Sequence, residues 1–165
     1  MTRRGRTSTD VDPIAQFMQD HDRLLSHLTN LNKAARSLDE KGLTKEALRR
    51  IVAALAYLEE EVTVHNMSEE EALFPVLDRY VEGPTKVMRD DHRQLRKEFT
   101  RLSRAVSRIQ KNKIKRQAAR DLSVSAKTMV QLFVNHIHKE NSILFPLVRK
   151  FLTKDALREI ARRMV

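Results

Sequence analysis

From Asp12 onward, apolar residues recur at intervals of three and four, the spacing that lines one face of an α-helix. Ile14, Phe17, Met18, Leu24, Leu25, Leu28, Leu31 and Leu38 form the first stripe, and His21 falls within it. Asp12 followed by Pro13 supplies an N-cap and a first helical residue, and Gly42 marks the end. A second stripe starts after Thr44 and comprises Ala47, Leu48, Ile51, Val52, Leu55, Leu58, Val62 and Leu73, with His65 and Glu69 among them. Pro75 is expected to kink or end this helix, and Gly83-Pro84 separates it from the next. The third helix carries Met88, His92, Leu95, Phe99, Leu102, Val106 and Ile109. The fourth carries Leu122, Ala126, Met129, Phe133, His136, Glu140, Leu144 and Leu147. A short last helix is expected after Thr153, with Leu157, Ile160 and Ala161 facing inward. Four long helices with short connections predict an all-α fold, an antiparallel up-down-up-down four-helix bundle with a short C-terminal helix. Residues 10–165 are read as this one domain, and residues 1–9 as a disordered basic tail without apolar period.

The polar residues inside the stripes change the picture. His21, His65, Glu69, His92, His136 and Glu140 all take core positions. Burying a lone polar group without a partner costs about 1–3 kcal/mol, and an unpaired carboxylate costs more. Six such groups would consume much of a typical stability of about 5–15 kcal/mol unless they satisfy one another or a metal.

Their arrangement repeats. The segment HNMSEEEALFP at His65 returns as HIHKENSILFP at His136, an offset of seventy-one residues. The same offset pairs Asp20-His21 with Asp91-His92, Leu24 with Leu95 and Leu31 with Leu102. The chain thus reads as a duplicated helix pair, a helix with one His followed by a helix with His-x3-Glu. Residues four apart lie about 40° apart around a helix and one turn apart in height, so each His and Glu can aim inward together. Folding one half on the other gathers four imidazoles and two carboxylates about a pseudo-two-fold axis. That donor set suits two first-row transition ions, iron foremost. Calcium or magnesium takes mainly oxygen, and a single structural zinc would leave two donors over.

These residues resemble the hemerythrin-like (HHE cation-binding) family over roughly residues 13 to 150. The resemblance implies the hemerythrin-like form of the bundle, with terminal iron ligands at His21, His65, His92 and His136. It also implies bridging carboxylates at Glu69 and Glu140, around an oxo- or hydroxo-bridged centre of two iron ions. Oxygen-carrying members have a further His four residues after the one on the third helix, where this chain has Arg96. The four-His, two-Glu set is similar instead to that of di-iron proteins of nitrosative stress and iron–sulfur repair, although this chain has no cysteine. Binding, sensing or detoxifying dioxygen, peroxide or nitric oxide in a stress response is the function implied. No Glu-x-x-His spacing of the ferritin-like oxidases occurs.

Composition and charge narrow the rest. With no cysteine, thiol nucleophiles, disulfides and iron–sulfur ligation are excluded, which fits a reducing cytoplasm. The N-terminus lacks the apolar run of a signal peptide, and no stretch approaches the roughly 20 apolar residues of a membrane span. A cytoplasmic protein without membrane insertion is expected. The net charge of +10 gathers in Arg3, Arg4 and Arg6 and along Arg89 to Arg120. This surface is read as a solvated helix face, with an anionic partner as the alternative. In that alternative the chain is a basic helical interaction module whose metal site is structural or storage-related. Glu70 and Glu71 turn about 100° and 200° away from Glu69 and are read as solvated or as outer partners of the ligands. His27 and His138 are placed on the surface. Met18, Met88 and Met129 are read as core fillers, and the two Leu-Phe-Pro segments as packing and helix-ending elements. If Glu69 and Glu140 meet, their repulsion should raise the pKa of at least one.

Overall fold

The computed structural model describes residues 11–111 and 115–164, so the tail expected at residues 1–9 and Lys113 of the basic run lie outside the described residues. Helices are the only regular elements among the described residues. Helix α1 spans Pro13–Lys41, α2 Lys45–Ser68, α3 Phe74–Leu77, α4 Pro84–Lys111, α5 Lys115–Lys139, α6 Phe145–Phe151 and α7 Lys154–Arg163. The helix starts follow side-chain capping: Asp12 Oδ1 accepts from the Ile14 N–H at 3.0 Å, Thr44 Oγ1 from Ala47 at 3.0 Å and Thr153 Oγ1 from Ala156 at 3.1 Å. Gly42, at φ 73°, turns the chain out of α1 while its N–H bonds the Leu38 carbonyl at 3.0 Å.

The two prolines do not end their helices. A proline inside an α-helix clashes with the carbonyl four residues back, here Glu71 and Ser142. The chain widens into π turns over Glu69–Leu73 and Glu140–Leu144 instead, so the Phe74 N–H reaches the Glu69 carbonyl and the Phe145 N–H that of Glu140. The helical path then continues through α3 and α6. Of the two outcomes expected for Pro75, a kink or an end, the end does not occur, and the Leu-Phe-Pro segments are corrected as helix ends, although Phe74 and Phe145 do pack in the core. The extra residue also moves the inward face by one position. Val148 is fully buried where the regular stripe assigns Leu147, which is only half-buried.

Helix α1 packs against α2 and α5, and α4 against α5 and α2. Their apolar faces divide into two clusters. The larger contains Leu24–Leu38 positions of α1, Ala47–Val62 of α2, Leu95–Ile109 of α4 and Leu122–Ile137 of α5. The smaller joins Ile14, Phe17 and Met88 to the segments after the π turns begin and to Ala156 and Ile160 of α7. On α1, α2 and α4 the candidate ligands fall between the two clusters: His21 between Phe17 and Leu24, His65 and Glu69 between Val62 and Ala72, His92 between Met88 and Leu95; after α5, Glu140 falls between Ile137 and Leu144, while His136 sits at the edge of the larger cluster. Met18, expected in the core, is instead 40% exposed, while Met88 and Met129 are buried.

Candidate metal centre

Each helix pair brings its candidate ligands together as the sequence spacing requires. The i, i+4 pairs His65 and Glu69, and His136 and Glu140, approach at 3.0 Å and 2.7 Å between Nε2 and Oε1. His21 Nε2 lies 2.8 Å from Glu140 Oε2, and His92 Nε2 lies 3.1 Å from Glu69 Oε2, so each carboxylate receives a histidine from both halves. Two donor groups result: His21, His65, Glu69 and Glu140, and Glu69, His92, His136 and Glu140, with the donor atoms of each within 4.8 Å of one another. All six residues are buried, with 0% exposure for His21, Glu69, His92 and Glu140. All six candidate residues thus meet in one cluster. His27 stacks on Tyr57 and His138 is exposed beside Ser142, both outside it.

A ring of acceptors fixes the four imidazoles from behind. Nδ1 of His21 meets Asn141 Oδ1 at 2.7 Å, Nδ1 of His65 meets Asp20 Oδ2 at 3.2 Å, Nδ1 of His92 meets Glu70 Oε1 at 2.7 Å, and Nδ1 of His136 meets Asp91 Oδ2 at 3.1 Å. Every partner can only accept at that atom, so each Nδ1 is the N–H donor. A neutral ring then turns a bare Nε2 lone pair toward the centre. Carboxylate oxygens face the same space with no donor to meet them: Glu69 Oε1 and Oε2, Glu140 Oε1 and Oε2, His92 Nε2 and His136 Nε2 are buried without a hydrogen-bond partner. Among the described residues only Asn66 Oδ1 and Glu98 Oε2 share that condition. Acceptors converging on acceptors fit a cation, and the imidazole–carboxylate chain behind them is the usual support of metal-bound histidine.

Without a cation, protons take over part of that task. Burial disfavours the imidazolium of His136, but the Glu140 carboxylate and the bond to Asp91 outweigh it and push its pKa up to about 10. His65 is raised in the same way, against burial, by Glu69 and Asp20. Burial would lift Glu140, yet His136, His21 and His65 hold it well below the usual carboxylate range. For Glu140 this reverses the rise expected from repulsion by Glu69, because the attraction of the surrounding imidazoles outweighs it. Asp20 and Asp91 are likewise lowered against their burial, by His65 with Arg23 and by His136 with Lys139.

The hemerythrin HHE cation-binding domain matches residues 12–148. The chain belongs to this family. Its hemerythrin domain is similar to the iron-sulfur cluster repair protein YtfE of Yersinia pestis (strain Pestoides F) and of Yersinia pseudotuberculosis (serotype IB, strain PB1/+), 27% identical over 131 residues in each case. The similarity covers 76% of this chain and 59% of each relative, so the chain corresponds to little more than half the length of those proteins. A cation-binding family and a buried His/Glu cluster agree on what the bundle centre is built to hold.

The acceptors behind the candidate ligands were the less legible part of this hemerythrin domain. Glu70 is half-buried on His92, one of the two roles its position allows, and Glu71 is exposed. Asp20, Asp91 and Asn141 do not stand out from spacing alone. The signal available was the repeat itself, which sets Asp20 against Asp91 and Glu70 against Asn141.

Proposed function

We propose that this hemerythrin-like protein is a non-haem di-iron protein that binds, senses or detoxifies dioxygen, peroxide or nitric oxide as part of a stress response. In this reading His21 and His65 serve one iron, His92 and His136 the other, and Glu69 and Glu140 are shared by both. The observation that carries it is the set of buried acceptor atoms facing one another without donors. Imidazole and carboxylate in this ratio favour a first-row transition ion over calcium or magnesium. Iron bound there would supply redox chemistry and positions for a small exogenous ligand. The chain's own residues hold each ring in one tautomer, keep bulk water from the centre by burial, and carry protons on His65 and His136 until metal displaces them.

The reading includes a single domain over residues 10–165, with a basic tail before it, and an up-down-up-down bundle. The alternation of helix starts and ends between the two apolar clusters supports that topology. Among the described residues no helix is long and apolar enough to cross a membrane, and a cytoplasmic setting suits a chain without cysteine. Iron–sulfur repair, named for the relatives, enters here as the stress process to test first. Arg96, 3.9 Å from Glu70 and well exposed, stands where oxygen carriers have a fifth histidine. The protein is therefore assigned to oxidative or nitrosative chemistry rather than reversible oxygen carriage, and repeated cycles of oxygenation and deoxygenation would contradict this. A groove of about 700 Å³ lined by Asn66, Glu70, Leu95 and Phe99 reaches Glu70, the acceptor behind His92.

The test is optical. Iron-loaded protein should show near-ultraviolet charge-transfer bands that change on adding azide, nitric oxide or peroxide, and bands indifferent to all three would contradict the proposal. A second reading has its own observation: a groove of about 920 Å³ lined by Arg93, Arg96, Lys97, Arg101, Arg104 and Arg108 against a single acid, Asp121. In that reading the groove receives an anionic partner and the metal is structural.

A further inference from the structure

The repeat makes the two halves of the centre nearly equivalent, and the acceptor behind one histidine of each half differs in charge. His65 and His136 are matched: each donates through Nδ1 to an aspartate, and each aspartate also pairs with a cation, Arg23 on Asp20 and Lys139 on Asp91. His21 and His92 are not matched. His92 Nδ1 donates to the Glu70 carboxylate at 2.7 Å, whereas His21 Nδ1 donates to the neutral amide oxygen of Asn141, also at 2.7 Å. Glu70 and Asn141 occupy the same place in the repeat, seventy-one residues apart. The bond length is equal, so geometry is conserved and charge differs.

A carboxylate accepting from Nδ1 makes the opposite ring nitrogen a stronger donor, because it stabilises positive charge developing on the imidazole as a cation takes the Nε2 lone pair. An amide oxygen does so much less. Arg96 near Glu70 weakens the effect only modestly, since the pair is 3.9 Å apart and Arg96 is 61% exposed. Glu69 and Glu140 serve both halves and cannot distinguish them.

Resting on the two-ion reading above, we propose that the centre fills in order, the His92/His136 half first and the His21/His65 half second, with Glu70 and Asn141 setting the difference. They are positioning residues acting through their histidines, and their charge is what matters. Loss of such an outer partner changes metal affinity by about 10- to 100-fold, which is the expected separation between the two binding steps.

Anaerobic calorimetric titration of the metal-free full chain with ferrous ion tests the order. Two resolved steps are expected, the tighter abolished in His92→Ala and retained in His21→Ala. Glu70→Gln keeps a hydrogen-bond acceptor but removes the charge, and should weaken the tight step about 10-fold or more. Asn141→Asp adds the charge and should tighten the weak step. Repulsion between two bound ions would also separate the steps, but it would leave their ratio unchanged in both isosteric variants, and that result overturns the proposal. So does retention of the tight step in His92→Ala with its loss in His21→Ala. Uptake of a single ion by the wild-type chain overturns the two-ion reading as well, which distinguishes the two failures.

Discussion

His136 carries three demands at once: it bonds Asp91 through Nδ1, faces Glu140 through Nε2, and lies in the core. Its raised pKa, about 10 in the metal-free chain against 6.5 for a free imidazole, sets a pH dependence. A raised pKa stabilises the fold fully below about 6.5, and that contribution fades as pH climbs toward 10. Glu140, lowered, adds stability above its ordinary range that is lost only in strong acid. Thermal melts of metal-free protein should therefore fall between pH 6.5 and 10, and an increase over that interval would contradict the assignment. Metal loading should release protons and reverse the trend, because the ligands bind deprotonated. Removing a ligand separates shared from single roles: Glu69→Ala or Glu140→Ala should reduce occupancy of both ions, and His92→Ala mainly one. Equal and negligible losses in all three would remove the assigned roles. The six candidate ligands were legible because a polar residue on an apolar stripe is costly enough to need a reason. Asp20 and Asp91 were not, since Asp20 adjoins His21 in sequence but reaches across to His65 on the next helix.

At the scale of elements, periodicity located every long helix, and caps located their starts. Thr44→Ala should cost about 1 kcal/mol and lower Tm by roughly 2–4 °C while leaving metal content intact; a loss of metal would mean that α2 is not independently anchored by its core face. What periodicity could not supply was the pair of π turns. A proline in a helical pattern reads as a break when only α-helical register is considered, yet widening one turn removes the clash with the carbonyl four residues back. The stripe then skips a position, which is why Val148 rather than Leu147 is buried. Met18 failed for a different reason: it sits one residue past Phe17 on the helix, and Phe17 with His21 already takes the inward direction.

Over the whole molecule, part of the net charge of +10 gathers along α4, where Arg93, Arg96, Lys97, Arg101, Arg104 and Arg108 line one groove. The basic groove on α4 should hold the protein on an anionic resin at low salt and release it steeply as salt rises. Lys97→Glu with Arg104→Glu should elute earlier with unchanged metal content; unchanged elution would leave the charge a purely solvated face. In the proposed reading, a duplicated helix pair buries six candidate ligands in order to hold two irons. Elemental analysis of protein expressed with ample iron tests it most directly. Two iron atoms per chain are expected, and one zinc per chain with no iron would contradict it.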